Sequence, residues 1–240
     1  MTDYDPRIVD LYDIDNPDGP DHDFYRALAD AREARTVLDL GCGTGMLTVT
    51  LAGRDRRVMG LDPSPAMLTF ARARNGAERV EWVVGDSSDA PAEYFDLVVM
   101  TGNVAQHIPD TDWARTLRDL RARMRPGSYL AFETRNPAVR EWGTWSSEDP
   151  TSRETPHGTL TEWMEVELVD ERIVRFRAHN HFAANGETVT EEQSLVFRGR
   201  AELEADLRRA GFDVETVHGD WAGTPFEETA RLMIFVARAR

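Results

Sequence analysis

A short run of β-branched and aliphatic residues leads directly into a loop with three glycines, at residues 41–45. The run, residues 36–40, is typical of a strand buried in the middle of a parallel sheet. Glycine adopts positive φ angles easily and allows a ligand to approach the backbone closely. We therefore predict a buried strand, a tight turn at its carboxyl end, and a helix whose first N–H groups face a polar ligand.

The alternation of strand and helix continues through the first half of the chain. Apolar runs predict further strands at residues 57–61, 80–84, 95–100 and 128–133, and two more at residues 212–217 and 232–237. Single helices between successive strands imply right-handed crossovers, which place helices on both faces of a sheet. We expect an α/β fold with a doubly wound, Rossmann-like, mostly parallel sheet of seven strands.

The pattern changes after Arg135. Residues 136–158 are rich in Trp, Ser, Thr and Pro and are expected to form a loop. Three strand-like segments follow, at residues 160–169, 173–182 and 188–197. Asn185-Gly186 between the last two is a strong hairpin signal, because type I′ turns need positive φ angles. We predict a three-stranded antiparallel meander inserted in the α/β frame.

The charge composition excludes several classes of function. The chain has 28 basic residues, all of them arginine, against 43 acidic ones, which gives a net charge of −15. Because phosphate affinity comes largely from basic side chains, nucleic acid and anionic membranes are not expected as main partners. Without lysine, neither a Schiff-base lysine nor a phosphate-loop lysine is possible.

Cysteine usage and the start of the chain bear on the compartment. The single cysteine, Cys42, excludes an internal disulfide and a multi-cysteine zinc site. The acidic start lacks the basic and apolar regions of a signal peptide, and no stretch approaches the roughly 18 apolar residues of a membrane span. We expect a cytoplasmic protein that needs no metal.

Three acidic residues mark the ends of the first three predicted strands. Asp39 precedes the loop by two residues, where a carboxylate would repel a pyrophosphate but would suit an ammonium or a sulfonium group. The dinucleotide fingerprint Gly-x-Gly-x-x-Gly is also broken, because Met46 stands where its third glycine should be. Asp62 can accept hydrogen bonds from both hydroxyls of a ribose, and Asp86 can accept one from an adenine amino group.

In this order, the motifs resemble those of the class I S-adenosylmethionine-dependent methyltransferases. The resemblance covers residues 37–133 and, more weakly, residues 201–237. It rests on Asp39-x-Gly41-x-Gly43-x-Gly45, Leu61-Asp62-x-Ser64-x-x-Met67, Gly85-Asp86-Ser87 and Phe95-Asp96-Leu97-Val98. It implies S-adenosylmethionine as the cofactor. It also implies cofactor-binding roles for Asp39, Gly41, Cys42, Gly43, Asp62, Pro63, Met67, Asp86, Ser87, Thr101 and Asn103.

Within that set, the resemblance gives Asp39 to the methionine moiety, Asp62 to the ribose and Met67 to the adenine. An N-terminal lid is also typical of families that this chain resembles, and Tyr4, Tyr12, Phe24 and Tyr25 could form it, with Tyr12 and Tyr25 as the candidates for cofactor contact. Plain packing of an N-terminal helix on the sheet would explain these tyrosines equally well. Cys42 is better interpreted as a small residue in a tight turn than as a reactive thiol.

Methyl transfer from a sulfonium is an in-line displacement, for which a protein mainly supplies alignment and a dry site. A base is needed only where the acceptor arrives protonated. His107, a few residues beyond the fourth predicted strand, is the candidate catalytic base, because histidine titrates near neutral pH. The other interpretation is that His107 orients the loop next to Pro109.

Candidate substrate-binding residues lie in the fifth predicted strand and in the inserted segment. Arg135 could pair with a substrate carboxylate or form an ordinary surface ion pair. Trp142, like the other two tryptophans of this region, suits either a substrate pocket or the core of the inserted sheet. His179 and His181 share one side of a strand, where they could line a pocket; zinc would need a third ligand.

We expect a methyltransferase that acts on a small molecule. Residues 100–103, Met-Thr-Gly-Asn, replace the Asn/Asp-Pro-Pro-Tyr/Phe and Pro-Cys motifs of base-modifying enzymes. The expected organisation is an N-terminal lid (1–35), a cofactor-binding domain (36–146 and 199–240), and an inserted subdomain (147–198). The inserted subdomain would cover the substrate or form a homodimer contact.

Two alternatives are open at this point. A nicotinamide-dependent oxidoreductase would also use a glycine-rich loop and an acid after the second strand, although the glycine spacing and Asp39 argue against it. A catalytically inactive module that binds only the cofactor would keep every one of these motifs, because the transfer step needs no diagnostic residue. The acceptor atom, nitrogen, oxygen or carbon, is open as well.

Overall fold

Seven α-helices and two β-sheets are formed by residues 3–53 and 55–240, which are the residues that the computed structural model describes. The helices are α1 (Pro6–Asp15), α2 (Pro20–Ala31), α3 (Met46–Leu51), α4 (Pro65–Arg72), α5 (Val104–His107), α6 (Asp110–Ala122) and α7 (Arg200–Ala210). The strands are β1 (Thr36–Leu40), β2 (Arg57–Asp62), β3 (Val80–Val84), β4 (Phe95–Met100), β5 (Met124–Arg135), β6 (Ser147–Thr155), β7 (Gly158–Leu168), β8 (Ile173–Phe182), β9 (Glu187–Val196), β10 (Phe212–His218) and β11 (Leu232–Ala239).

Within the described residues, the larger sheet has seven strands in the order β10-β11-β5-β4-β1-β2-β3. The strands β1 to β5 run parallel, and β11 runs antiparallel to both of its neighbours. Because the strand order reverses beside β1, the loops after β1 and β4 diverge and open a crevice at the carboxyl edge. The predicted doubly wound α/β fold is confirmed.

Helices cover both faces of this sheet. Successive residues of its strands point to opposite faces and therefore lie in two separate hydrophobic cores. Leu38 of β1 lies in the core beneath α6 and α7, with Leu117 and Leu203. Val37, one residue earlier, lies in the opposite core, with Ala29 of α2 and helix α3. Strands buried on both faces read as continuous apolar runs, which is why the sequence indicated their positions well.

The smaller sheet is antiparallel, with strand order β6-β7-β8-β9. The meander was expected to have three strands, and that count was wrong, because β6 adds a fourth within the segment expected to be a loop. Among the described strands β6 pairs with β7 alone, through a tight turn between Thr155 and Gly158. An edge strand with one partner can be polar throughout, so its sequence lacks apolar alternation.

The first helix was also not expected from the sequence. α1 begins at Pro6. The residue before it, Asp5, caps the helix, because its carboxylate accepts a hydrogen bond from the backbone N–H of Arg7. Its apolar residues Ile8 and Leu11 pack on Phe182 of the smaller sheet, in a cluster that also contains Leu160 and Val189. We call the face of the smaller sheet that α1 covers the inner face, and the opposite one the outer face.

Other differences are local. The strand expected at residues 128–133 is longer, because β5 begins at Met124, soon after α6 ends at Ala122, and runs through Pro126-Gly127 to Arg135. The four-residue helix α5 was missed. None of the described helices is long and apolar enough to cross a membrane.

Candidate functional site

The glycine-rich loop after β1 needs its glycines for two different reasons. Gly41 and Gly43 have φ angles of +75° and +54°, which side chains other than glycine rarely adopt. A Cβ atom on Gly41 would lie 2.4 Å from Cγ2 of Val104, so this glycine lets α5 pack against the loop. A Cβ atom on Gly43 would have no neighbour within 4 Å among the described residues. The loop therefore borders an open space at Gly43.

Asp62, at the end of β2, holds this loop in place. Its Oδ2 accepts a hydrogen bond from the N–H of Gly43, and its Oδ1 accepts one from the N–H of Ser64, both at 2.8 Å. Burial raises the pKa of this carboxyl. Each carboxylate oxygen can accept a further hydrogen bond. The arrangement can therefore take a pair of ligand hydroxyls at the edge of the open space.

Asp39 of β1 is fully buried, with one oxygen satisfied. Its Oδ2 accepts a hydrogen bond from Oγ1 of Thr48 at 2.7 Å, whereas Oδ1 has no partner in the described part of the chain. Burial raises the pKa of Asp39 to about 6. An unpaired buried carboxylate oxygen is costly unless a donor or a cation meets it. The site therefore lacks one positively charged or hydrogen-bonding group.

The loop after β4 is fixed by a residue that the sequence did not single out. Glu133 of β5 is buried, and its Oε1 accepts a hydrogen bond from the N–H of Asn103 at 2.6 Å. Its Oε2 accepts one from the hydroxyl of Tyr25. Burial raises the pKa of Glu133 to about 6. This pair holds Asn103 at a φ of +61°, next to Thr101, at the mouth of the crevice.

Some of the residues expected near the cofactor have side chains that already hydrogen-bond within the protein. Met67 of α4 is buried, and Pro63 is exposed. Asp86, after β3, accepts hydrogen bonds from Arg115 at 2.8 and 3.2 Å, and this guanidinium holds the pKa of Asp86 well below its usual range. The hydroxyl of Ser87 donates to Asp119 of α6. The side chains of Asp86 and Ser87 are thus engaged with α6.

The helix α1 lies over the glycine-rich loop. Asp13 accepts a hydrogen bond from the hydroxyl of Thr44 at 2.7 Å and forms an ion pair with Arg74 of α4. Arg74 also donates to the carbonyl of Thr44 at 2.6 Å. The hydroxyl of Tyr12, the residue before Asp13, is partly buried close to Asp62, and burial followed by that charge raises its pKa. The structure thus brings Tyr12 to the crevice.

Further ion pairs join α1 to the smaller sheet. Asp15 pairs with Arg153 of β6 at 2.7 Å, and Asp10 lies 3.2 Å from the imidazole of His157 in the β6–β7 turn. With the apolar cluster around Leu11, these contacts make α1 a bridge between the loop after β1 and the smaller sheet.

His107 and Arg135 lie close together, at the end of α5 and at the end of β5. His107 keeps surface exposed to solvent. Burial, followed by the charge of Arg135, lowers the pKa of His107 to about 4, so its ring is neutral at physiological pH. Arg135 donates to Oε1 of Gln106 at 3.1 Å and lies 3.7 Å from Glu141. Arg135 therefore has internal partners already.

The remaining candidates lie away from the crevice. Trp142 packs against Phe197, at 4.4 Å between ring centroids, in an apolar cluster of the smaller sheet. His179 and His181 lie on the outer face, where their rings hydrogen-bond to Thr190 and Thr188. No three His, Cys, Asp or Glu residues of the described chain come together as a metal site. The structure does not bring these histidines together with the cofactor loops.

Two surface grooves lie elsewhere. One, of about 260 Å³, runs between α7 and β10, and the other, of about 240 Å³, lies among charged residues of β7 and β8. Neither is lined by the glycine-rich loop. The crevice beneath α1 is therefore the candidate site on chemical grounds.

Comparison with known proteins gives a consistent class. Residues 37–127 match a family described as a methyltransferase domain. The cypemycin N-terminal methyltransferase of Streptomyces sp is 27% identical, over 85% of this chain and 83% of that protein. The trans-aconitate 2-methyltransferase of Azoarcus sp. (strain BH72) is 40% identical, over 42% of this chain and 39% of that protein. These matches favour the methyltransferase over the oxidoreductase alternative.

Solved structures share the whole fold. The CcbJ methyltransferase from Streptomyces caelestis superimposes with a TM-score of 0.80 at 23% identity, over 98% of this chain and 99% of that one. CalS10 from Micromonospora echinaspora, an amino pentose methyltransferase solved with S-adenosylmethionine bound, has a TM-score of 0.70 at 21% identity, over 100% and 99% of the two chains.

Proposed function

We propose that this chain, which belongs to the class I S-adenosylmethionine-dependent methyltransferases, transfers a methyl group to a small organic molecule in the crevice beneath α1. The observation that carries the proposal is the unpaired oxygen of Asp39. It lies close enough to Asp62 for the two charges to interact, and Asp62 in turn holds Gly43. A ligand with a cationic group and a pair of hydroxyls would satisfy both carboxylates.

The residues of this chain fit S-adenosylmethionine, which supplies a methyl group already activated by its positive sulfur. In our proposal Asp39 binds the amino group of the cofactor. Asp62 accepts hydrogen bonds from the hydroxyls of the ribose. The open space at Gly43 lets the cofactor approach the backbone of the loop. Met67 packs against the adenine. Asp86 and Ser87 contribute to the adenine site only through groups that Arg115 and Asp119 leave free.

The segments around the crevice keep it dry and aligned. We propose that residues 1–35 act as the lid and that residues 147–198 cover the acceptor, which together exclude competing water. The first two residues of that lid lie outside the described residues. Tyr12 closes the crevice above Asp62, and Asn103, held by Glu133, orients the acceptor side.

Relatives leave the acceptor atom open. One relative is named for an N-terminal acceptor and another for trans-aconitate, a carboxylic acid. CalS10 is named as an amino pentose methyltransferase. All three names support a small or terminal acceptor rather than a nucleic acid base.

Calorimetric titration tests the proposed function directly. We expect S-adenosylmethionine and S-adenosylhomocysteine to bind in the micromolar range, with no heat from reduced nicotinamide nucleotides. Since a class I enzyme releases S-adenosylhomocysteine on turnover, both molecules should compete for one site. Failure of both sulfur compounds to bind would refute the proposed function.

The affinity for S-adenosylmethionine should fall in acid. The pKa of Asp39 is raised to about 6, so this carboxylate is ionised above pH 6 and becomes protonated below it. Only the ionised form attracts an ammonium, so the affinity should drop by up to about tenfold per pH unit between pH 6 and pH 5. Calorimetry from pH 5 to pH 8 measures this slope, and Asp39→Asn should flatten it. An unchanged slope in Asp39→Asn would assign the titration to another group, such as Asp62.

A further inference from the structure

The inner face of the smaller sheet is covered at both ends and accessible between them. At one end, Leu160 and Phe182 are buried under α1. At the other, Val174 and Leu195 are buried with Phe197. Between these two apolar clusters, the described residues of the inner face form no further buried apolar cluster. The middle of this face lies beside the segment that precedes α1, since Tyr4 contacts Gln193 there.

A small residue sits at the centre of that uncovered stretch. Ala178 of β8 lies directly opposite Met164 of β7 on one side and Glu191 of β9 on the other. All three are partly accessible. Because alanine is shorter than both neighbours, the three side chains form a notch with a carboxylate on one wall. We call Met164, Ala178 and Glu191 the notch.

One oxygen of the carboxylate of the notch lacks a partner among the described residues. Oε1 of Glu191 is out of contact with solvent, and no donor in residues 3–53 or 55–240 reaches it. An unsatisfied buried carboxylate oxygen is costly to keep. Glu192, the next residue, points to the outer face and pairs with Arg177 at 2.6 Å. The two adjacent glutamates therefore differ: Glu192 is paired with an arginine, and Oε1 of Glu191 has no donor.

The notch connects to the proposed methyl-transfer site. Gln193, two residues along the same face from Glu191, donates a hydrogen bond to the hydroxyl of Tyr4 at 3.0 Å. Burial, and then the charges of residues that include Glu191 and Asp62, raises the pKa of this hydroxyl. α5, which follows the loop of Asn103, packs against β9. Tyr4 therefore stands between the carboxylate of the notch and the carboxylate at the proposed ribose site.

We propose that Glu191 binds the amino group of the methyl acceptor and takes up the proton which that group loses, so that the acceptor is an amine. This rests on the proposed function. The acceptor nitrogen forms a bond to the methyl carbon while the carbon–sulfur bond breaks and its electron pair stays on sulfur. The nitrogen, positively charged at that moment, passes one proton to Oε1 of Glu191. The ammonium formed in this step is a charged donor that the carboxylate stabilises, whereas an alcohol would need its proton removed before or during the attack, which a carboxylate does poorly.

The surroundings of Glu191 suit a proton acceptor. Burial, and then the charge of Asp5, raises its pKa to about 7, near the value at which a general base works best at neutral pH. Tyr4 faces it from the segment before α1, and the inner face of β8 contributes the uncharged Ala178. The titratable group of α5, His107, has a pKa of about 4 and stays neutral.

The test uses Glu191→Gln with Glu192→Gln as the matched control. The probes are amino sugars, amino acids and polyamines, each beside its hydroxyl analogue, with release of S-adenosylhomocysteine as the readout. We expect amines alone to react and Glu191→Gln to lower kcat about 100-fold, as for loss of a general base. The acidic limb of the kcat profile should disappear with it. Glu192→Gln should react like the unmodified chain.

Binding of S-adenosylmethionine to each variant, measured by calorimetry, separates this inference from the proposed function. Loss of cofactor binding in the unmodified chain refutes the proposed function itself. Intact cofactor binding with methylation of the hydroxyl analogues, or with no amine methylated, overturns the amine assignment. Full kcat in Glu191→Gln overturns the role of this residue. Thermal unfolding of Glu191→Gln close to that of Glu192→Gln shows that any loss is chemical.

Discussion

Replacing Asp62 with alanine is expected to weaken the binding of S-adenosylmethionine by at least about 100-fold, because two hydrogen bonds to a charged acceptor are lost at about 1.5–3 kcal/mol each. The carboxylate also ties the N–H groups of Gly43 and Ser64 to the end of β2, so its removal loosens the loop that borders the ligand. Calorimetry with S-adenosylmethionine measures the loss.

A structural counterpart of Asp62 provides the control. Asp96, at the start of β4, also accepts backbone hydrogen bonds, from the N–H groups of Arg35 and Thr36 at 2.9 Å. It does so at the opposite end of β1 from the crevice. Asp96→Ala should lower stability and leave the dissociation constant within about threefold of the unmodified chain, as expected for a site with no ligand contact. Equal losses of affinity in the two variants would mean that Asp62 acts through stability alone.

Substitutions at Gly41 and Gly43 are expected to have different effects, the first on stability and the second on cofactor binding. Gly41→Ala brings a Cβ atom to 2.4 Å from Val104 and forces a φ of +75° on alanine, so we expect a loss of about 2–5 kcal/mol in the free energy of unfolding. Gly43→Val has no clash within the described chain and loses only about 1–3 kcal/mol through its backbone strain. Its side chain fills the open space, so the variant should fold and fail to bind S-adenosylmethionine.

Urea unfolding and calorimetry distinguish the two glycines. Gly41→Ala combined with Val104→Ala should recover part of the stability, because the clashing Cγ atoms of Val104 are gone. No recovery in the double variant would attribute the whole cost to the φ angle. Micromolar affinity in Gly43→Val would show that the ligand does not use the space next to this glycine.

The parallel core of the fold could be predicted because its strands are buried on both faces. The strand at residues 95–100, for example, is almost wholly apolar, and such runs have few alternative interpretations. β6 and α1 could not be predicted in the same way. β6 is polar and has one partner, and the apolar residues of α1 find theirs in β7, β8 and β9, far away in sequence.

The candidate site was predictable only where a motif marks it. Asp39 and Asp62 lie at or next to the carboxyl ends of strands and adjoin glycines or a helix start, so their positions could be inferred. Glu133 also lies near the carboxyl end of a strand, but its role depends on Tyr25 and Asn103, which are brought to it by tertiary packing. Glu191 and Glu192 are adjacent and chemically identical in the sequence. Only the sheet register places one in the notch and the other in an ion pair.

In the proposed mechanism, the position of α1 would couple the exchange of the two ligands. Its Asp13 holds the loop after β1, while Asp15 and Leu11 hold the smaller sheet. An outward movement of this helix that released the spent cofactor would also uncover the inner face, where we place the acceptor. We therefore expect both products to leave through the same opening, and the cofactor and the acceptor to enter through it.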